Sequence, residues 1–464
     1  MLKSTFTIAI IGGGFSGTLT AVHLLRHSRQ TPLRVVLINP TPTFGRGLAY
    51  RFEDDNLVLN VPAGNMSAFA DDPTHFVNYC QAIDPAITAR SFVSRRLYGE
   101  YLQYILAQAT ESHPDVLELK VDEAVAVVRN DTTNEFQVVL ASGMNMTVNH
   151  VVLALGHQPS KFPLDLGATE QQHVIQPWDF SAMHNMAPDA PVVILGSGHT
   201  AVDALFSLAA IHRGRRVWLV SRHGLLPQAH RLNPQAPTPH EFPEFLRDVP
   251  GSVRHYTRAL RRQIAEQQYR GHDWRDVLND LRPHTPQLWQ SLTSAEQRRF
   301  LRCLLPYWDI HRHRLAPIAA HRLQTLLQSG QAKVIAAHIL SIQAHGNGIQ
   351  VHLRQRGLDT IETIHATAII NCTGPNNCVN TLSHPLFKQL LTAGLLKADA
   401  NGLGLMVSAN YQVMGSHDQP VQGLWYVGPM LKSKYWEAIA VPELRLHAQR
   451  LANTLITATI RPTL

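Results

Sequence analysis

No run of 18 or more apolar residues occurs in the 464-residue sequence, so no segment reads as a transmembrane helix. Four cysteines, Cys80, Cys303, Cys372 and Cys378, are too few and too scattered for a disulfide framework. Such sparing use suits a reducing compartment, and the cytoplasm is the expected location. No Cys-x-x-Cys is present, and none of the 26 histidines forms a His-x-x-x-His pair beside a glutamate, so no metal site is expected. The charge is only mildly unbalanced, 41 basic against 34 acidic residues with no lysine-rich tail, which gives no reason to expect nucleic acid as a partner. Met1-Leu2-Lys3 before an apolar run has the look of a secretory leader, but three glycines in a row interrupt it and no small-residue cleavage site follows.

What is present begins with Ile8-Ala9-Ile10-Ile11 running into Gly12-x-Gly14-x-x-Gly17, after which apolar residues recur at helical spacing. This is the grammar of strand, glycine turn and helix that holds a dinucleotide pyrophosphate. Gly12 makes the tight turn, Gly14 lets phosphate approach the backbone beside Ser16, and Gly17 lets helix and strand pack closely. The helix N-terminus adds free N–H groups and partial positive charge. Leu33–Asn39 reads as the second parallel strand. It ends on Asn39 where an acidic ribose ligand is usual, so a weaker ribose contact is expected. Arg46 and Gly47 with Tyr50, then Asn60 and Met66, fall in aperiodic stretches that read as backbone wrapped round a ligand or as ordinary surface loop. A helix opens at Arg95. Residues 120–149 read as a small antiparallel meander, followed by a buried strand from His150 that ends at Gly156.

The opening grammar recurs at Val192–Leu195 with Gly196-x-Gly198-His199-x-Ala201, and two such units in one chain carry far more weight than one. The next strand ends on Ser221-Arg222, a hydroxyl followed by a guanidinium, which suits a ribose 2′-phosphate and so predicts NADPH over NADH; the competing reading of Arg222 is a solvated loop charge. Residues 223–325 abandon the alternation. Pro227, Pro234, Pro237, Pro239, Pro243 and Pro250 break the first part, and helices are expected over Val253–Gln268, Trp274–Leu281 and Ala295–Leu305. The octad Tyr307–Arg314 admits three readings: nucleic-acid contact, binding of an acidic substrate, or a structural network inside the cap. A second meander over Val334–Ile342, Ile349–Leu353 and Thr360–Ile364 leads to an apolar strand and Gly374. The chain then reaches Gly428-Pro429, Trp436-Glu437 and a final amphipathic helix with Val441 and Pro442 in its first turn.

Gly12-x-Gly14-x-x-Gly17, Gly45-Arg46-Gly47-Leu48-Ala49-Tyr50, Asn60-Val61-Pro62-Ala63, Arg96-x-Tyr98-Gly99-x-Tyr101-Leu102, Asp273-Trp274-Arg275, Trp308-x-x-His311-Arg312-His313-Arg314 and the block Trp436–Arg445 together resemble the bacterial FAD/NAD(P)-binding protein family. That family is related more distantly to flavin-containing and N-hydroxylating monooxygenases. The resemblance spans nearly the whole chain and implies FAD at the first site and a nicotinamide dinucleotide at the second. The expected fold is α/β, with two Rossmann-like, three-layer ββα dinucleotide-binding domains. The second, residues 161–374 with a helical insertion at about 223–325, would be inserted into the first, residues 1–160 and 375–464.

The candidate cofactor-binding residues are Gly12, Gly14, Ser16, Gly17, Asn39, Arg46, Gly47, Tyr50, Asn60, Met66, Gly156, Gly196, Gly198, His199, Ala201, Ser221, Arg222, Gly374, Gly428, Trp436, Glu437 and Val441. The expected activity is an FAD-dependent, NADPH-using oxidoreductase, monooxygenase-like, on a small molecule. The alternatives are a flavin reductase or dehydrogenase without oxygenation, a non-catalytic flavin-binding sensor, and an RNA-modifying flavoenzyme. No Cys pair stands where a disulfide reductase needs one. Nor is a Ser/His/Asp set or a carboxylate pair recognisable, and none is required where the cofactor carries the chemistry. No catalytic side chain and no oligomeric state is assigned.

Overall fold

The computed structural model describes residues 5–27, 32–211, 214–232 and 241–460. Met1-Leu2-Lys3 and the prolines 234, 237 and 239 lie outside the described residues. The strands in chain order are β1 (Phe6–Ile11), β2 (Leu33–Asn39), β3 (Leu117–Val121), β4 (Ala124–Asn130), β5 (Glu135–Leu140), β6 (Asn145–Val148), β7 (His150–Leu153) and β8 (Val174–Ile175). After them come β9 (Val192–Leu195), β10 (Val217–Ser221), β11 (Ala332–His345), β12 (Gly348–Gln355), β13 (Ile361–Ala366), β14 (Ala368–Asn371), β15 (Gln412–Met414) and β16 (Pro420–Tyr426).

Two large sheets result. The first runs β15-β16-β7-β1-β2-β3 and the second β13-β12-β11-β10-β9-β14-β8. In each, the strand that feeds a glycine turn lies inside the sheet, with parallel neighbours on both sides: β1 between β7 and β2, β9 between β14 and β10. Such strands are covered on both faces, which is why Ile8, Ile10, Val193 and Ile194 are fully buried and the strands read as apolar runs. Helix Phe15–His27 covers one face of the first sheet and packs on the last helix, Val441–Ile460. The first sheet therefore takes strands from both ends of the chain, and the second lies wholly between Val174 and Asn371. This is an α/β architecture of two parallel-sheet units, the second inserted in the first in chain order.

The meander expected over 120–149 forms its own three-stranded sheet, β4-β5-β6. Its counterpart differs: β11 runs for 14 residues, parallel to β10 in its first part and antiparallel to β12 beyond, with an irregularity between Ile339 and Ser341. The second meander is thus fused to the parallel sheet.

The helical insertion also departs from expectation. Helix Ser294–Cys303 stops before Leu305, and a new helix, Leu305–Arg312, begins with Pro306 in its first turn. Proline has no N–H to give and its ring crowds the preceding turn, so one helix becomes two. Thr285–Ser291 is likewise a separate short helix opened by Pro286.

His150 and His447 sit inside the first unit, 8% and 6% exposed. Burial pushes each imidazole down to about 4. An unfolded chain takes up these protons near pH ~6.5, and the folded protein refuses them until far lower. The folded pKa is depressed, so the associated stability is whole above that pH and is lost as the solution is acidified toward pH 4. The slope reaches about 1.4 kcal/mol per pH unit for each histidine. Melting curves at pH 7 and pH 5 should show this loss. His150→Phe should flatten it by one histidine's share, because the ring already lies between Phe6 and Trp425 at 4.8 and 5.6 Å.

Candidate functional site

Both glycine turns are held by the same backbone contact. Gly12 and Gly196 each have φ +114°, and a Cβ at either position would lie 2.2 Å from Ala154 O or 2.3 Å from Cys372 O, the carbonyls that follow β7 and β14. Gly17 is closed off in the same way: its Cβ would meet Gly12 O at 1.9 Å, whereas Ala201 occupies the matching place in the second unit. The first helical bonds run from Thr18 N to Gly14 O, 2.9 Å, and from Val202 N to Gly198 O, 3.1 Å. The N–H groups just ahead of them have no acceptor within their own helix and are free for an anion.

In front of the first turn the chain forms a cradle without side chains. Gly47, at φ +53°, would place a Cβ 3.1 Å from Gly14 Cα, so two Cα atoms face each other across the turn. Gly428, at φ +139°, also comes near the turn: a Cβ there would lie 3.1 Å from Tyr426 Oη and 4.0 Å from Ser16 Oγ. Asn39 is committed to the turn itself: Gly13 N donates to its Oδ1 at 3.0 Å, and its Nδ2 donates to Thr41 O at 2.8 Å. An amide can hold the glycine turn and the next loop at once, which a carboxylate, having no N–H, cannot. Arg46 spans from Gln103, at 2.7 Å, to an ion pair with Glu53. Tyr50 stacks edge-on against Tyr98 at 4.8 Å, and burial raises its hydroxyl pKa to about 12. Met66 is buried in the first core, and the Asn60 carbonyl accepts from His230 Nε2 at 3.1 Å. Gly156, at φ +63°, leaves open space where a side chain would stand.

The second turn faces a different surround. Gly198 and Gly374 have nothing within 4 Å of a built Cβ. Ser221 Oγ receives Gly224 N at 3.0 Å and lies 2.9 Å from Ser197 Oγ, so this hydroxyl shapes the turn after β10. Arg222 is exposed beyond it. Arg356 stands alongside, its N bonded to Ala336 O at 2.8 Å and its guanidinium 2.7 Å from His223 Nδ1. Since Ala336 pairs with Ser221, Arg356 reaches the same level of the sheet from two strands away. Burial, then Arg356, Arg222 and His338, lower the His223 pKa, the mark of a basic corner. Sequence reasoning found Arg222 and missed Arg356, which lies 134 positions on and carries no local signal. His199 is neutral: burial brings it down to about 4, and its Nε2 donates to the Arg314 carbonyl at 3.2 Å.

The helical cap is fastened to the C-terminal return. Arg282 makes a two-pronged pair with Glu443, 2.5 and 2.7 Å, in the first turn of helix Val441–Ile460. Arg312 faces Glu437 at 2.9 Å, with Glu437 1% exposed. Trp436 is buried between Trp289, 4.5 Å away, and Phe300, 5.1 Å away, so it belongs to the cap's aromatic packing and not to the glycine cradle. Within the octad, Arg312 is held by Glu437 and the Arg314 carbonyl by His199, contacts of the kind the structural reading expects. Across the two units, Arg95 also pairs with Asp203 at 2.7 Å.

One charged cluster was not legible in the sequence. His157, Asp309 and His313 all lie within electrostatic reach of Lys432; Asp309 keeps 44% of its side-chain exposure and His313 keeps 23%, with 4.0 Å between Oδ1 and Nε2. Burial raises the Asp309 pKa to about 6, against the pull of Lys432 and with help from Glu437. Burial takes His313 well below its usual range, with Arg312, His199 and Lys432 reinforcing it. A carboxyl of this kind can hold or release a proton near neutrality.

The comparisons bear on this geometry. Residues 9–158 match the FAD-NAD(P)-binding family model. No curated protein sequence matches. Among solved structures the chain is similar to L-lysine 6-monooxygenase from Pseudomonas syringae, at 16% identity and TM-score 0.68 over 98% of this chain and 99% of that one. It is also similar to the reduced form of ornithine hydroxylase from Pseudomonas aeruginosa, at 15% identity and TM-score 0.68 over 98% and 99% of the two chains. Thioredoxin reductase from T. acidophilum follows at 11% identity and TM-score 0.53 over 98% of each chain. These likenesses show the fold.

The two kinds of glycine should separate in a stability measurement. Gly196→Ala forces a Cβ into a carbonyl at positive φ and is expected to cost about 3 kcal/mol or more. Gly198→Ala meets open space and should stay within about 1 kcal/mol of the parent in urea unfolding.

Proposed function

We propose that this chain is an FAD-dependent, NADPH-using oxidoreductase that acts as a monooxygenase on a small molecule in the cytoplasm. In this reading residues 1–160 and 375–464 hold FAD, and residues 161–374 hold NADPH, with the helices of about 223–325 covering the substrate. The carrying observation is that the two glycine turns share one backbone geometry but open onto different surroundings. The first meets a cradle of Gly14, Gly47 and Gly428 sealed by Asn39; the second meets Arg222, His223 and Arg356.

The residues fit these cofactors. Facing Cα atoms at Gly14 and Gly47 admit a pyrophosphate to within contact of the backbone, and helix N–H groups of residues 15–17 meet its charge. The basic corner at Arg222 and Arg356 matches a 2′-phosphate, for which guanidinium is the better partner than ammonium. FAD, when bound, supplies hydride acceptance and onward electron delivery. The chain's own part is to orient the two dinucleotides through the turns, to keep His199 neutral beside the second, and to hold the N-terminus of helix Val441–Ile460 in place through the Arg282–Glu443 pair. That N-terminus favours negative charge on a neighbouring ring system. Asp309, part-exposed and with its pKa raised toward neutrality, is the carboxyl this reading assigns to proton exchange with a substrate.

The monooxygenase reading draws support from the solved neighbours named for lysine and ornithine hydroxylation. A disulfide reductase is disfavoured by the cysteines: the four are free, and Cys372, whose carbonyl backs the second glycine turn, is buried with its thiol pKa raised by that burial.

Purified protein should be yellow, lose its visible flavin band with NADPH under anaerobic conditions, and regain it in air. Bleaching without reaction toward oxygen would instead identify a reductase, and a flavin that NADPH never bleaches would identify a sensor. In the same assay, replacing both Arg222 and Arg356 by Ala should raise the NADPH concentration for half-maximal reduction by about 10- to 100-fold and leave NADH nearly unaffected. An unchanged preference for NADPH would overturn the assignment of the second site.

A further inference from the structure

The helical cap carries a surface charge that the cofactor reading leaves unused. Between Ser252 and Cys303 the sequence has ten arginines and no lysine against five carboxylates. Four of these arginines, Arg254, Arg258, Arg261 and Arg262, belong to one helix, Val253–Tyr269, and all four are exposed. At 3.6 residues per turn they fall within about 100° of arc, together with Ala265 and Tyr269. Tyr269 is 93% exposed. The carboxylates nearest in sequence are taken by other groups: Glu266 is bonded to Arg270 at 2.6 Å, and Glu296 accepts from Val253 N at 2.7 Å and pairs with Arg299. Among the described residues the four arginines of the stripe have no hydrogen-bond or ion-pair partner. Helix Ser294–Cys303 packs on the first and adds Arg298 and Arg302, both exposed.

Like charges four positions apart weaken a helix, and this one carries them at Arg254 and Arg258 and again at Arg258 and Arg262. A row of this kind is relieved by an external anion. Guanidinium groups without lysine among them suit phosphate, which they grip in two-pronged fashion. Val253, Tyr256 and Leu260, on the other side of the same helix, line the apolar interior of the cap. The helix has therefore no apolar side left to sink into a foreign surface, and its contact is confined to charge and to the Tyr269 ring. A single nucleic-acid strand is held in a groove lined by several stacking rings, whereas this stripe is an exposed helix flank with one. A lipid leaflet offers phosphates over a plane, and tyrosine favours the level of its headgroups.

We propose that this stripe docks the protein peripherally on a membrane leaflet rich in anionic phospholipid. The four arginines pair with lipid phosphates, and the Tyr269 ring rests among the headgroups. Docking of this kind is reversible and sensitive to salt, because no part of the chain enters the hydrocarbon. It goes beyond the flavoenzyme reading and does not depend on what the glycine turns hold.

Co-sedimentation of the full-length protein with phosphatidylcholine vesicles containing about 30% phosphatidylglycerol, against vesicles of phosphatidylcholine alone, tests it. Binding should be at least about tenfold tighter to the anionic vesicles and should fall at least about tenfold between about 0.1 and 0.5 M salt. Glutamine keeps the helix propensity of arginine, so the fourfold variant Arg254→Gln, Arg258→Gln, Arg261→Gln and Arg262→Gln should stay folded, which a melting curve checks. At about fivefold per arginine it should lose about 100- to 1,000-fold in vesicle affinity. Removing four exposed cations elsewhere, Arg90→Gln, Arg216→Gln, Lys333→Gln and Lys388→Gln, changes the net charge equally and should leave the affinity within about threefold. No binding to anionic vesicles, equal binding to both kinds, or equal losses from the two fourfold variants would each overturn the proposal. So would a mixed-sequence RNA or polyglutamate that binds through the four arginines where anionic vesicles do not, which would hand the stripe to a nucleic acid or an acidic protein.

Discussion

The approach of one glycine backbone to one strand carbonyl sets the terms for the rest of this structure. At Gly12 against Ala154 O, and again at Gly196 against Cys372 O, the chain turns so sharply after a central strand that no side chain fits. That turn points the following helix at the sheet edge and frees its first N–H groups. Everything else at the site arranges itself about those two mouths. The first is walled by glycines from distant segments, Gly47 and Gly428, and braced by Asn39. The second is rimmed by arginines and a histidine.

Between the mouths the cap acts as a clamp. Its helices touch the C-terminal return through two arginine–carboxylate pairs and an aromatic cluster, with Trp289, Phe300 and Trp436 in mutual contact. Paired carboxylates buried to this degree are held more for position than for stability, since desolvating the charges offsets much of their attraction. Here they fix the start of helix Val441–Ile460 and the cap's inner wall in one frame. The same frame brings Asp309 and Glu437 within electrostatic reach of Lys432.

The turns were legible because their signal is local: strand, glycines and helix lie within about ten residues, and the chemistry that demands glycine acts at that range. The meanders were legible from alternation. Three features were not. The cap's helix breaks hinge on Pro286 and Pro306, where the apolar spacing runs on as though the helix continued. Arg356 reaches the second site only through the register of β10, β11 and β12. The cluster of Asp309 with Lys432 joins residues more than a hundred positions apart, and nothing in the octad that holds Asp309 points to Lys432. Asn39 shows a different limit. Its position was found, but its expected role as a weakened ribose ligand gave way to bracing the turn, because both ends of the amide have nearer partners. Trp436 was grouped with the cofactor by sequence and packs with the cap.

The first sheet borrows β16 and the covering helix Val441–Ile460 from the far end of the chain, while the inserted unit has all its strands by Asn371. During synthesis the N-terminal strands emerge first and finish last. The edge of β7 that β16 will occupy stays open for the time it takes a ribosome to add more than 260 residues, on the order of tens of seconds at ordinary elongation rates. An unpaired parallel edge is a template for the wrong partner. Translation speed through the second half of the chain, and any chaperone that shields that edge meanwhile, therefore bear on how much of the protein reaches its native fold.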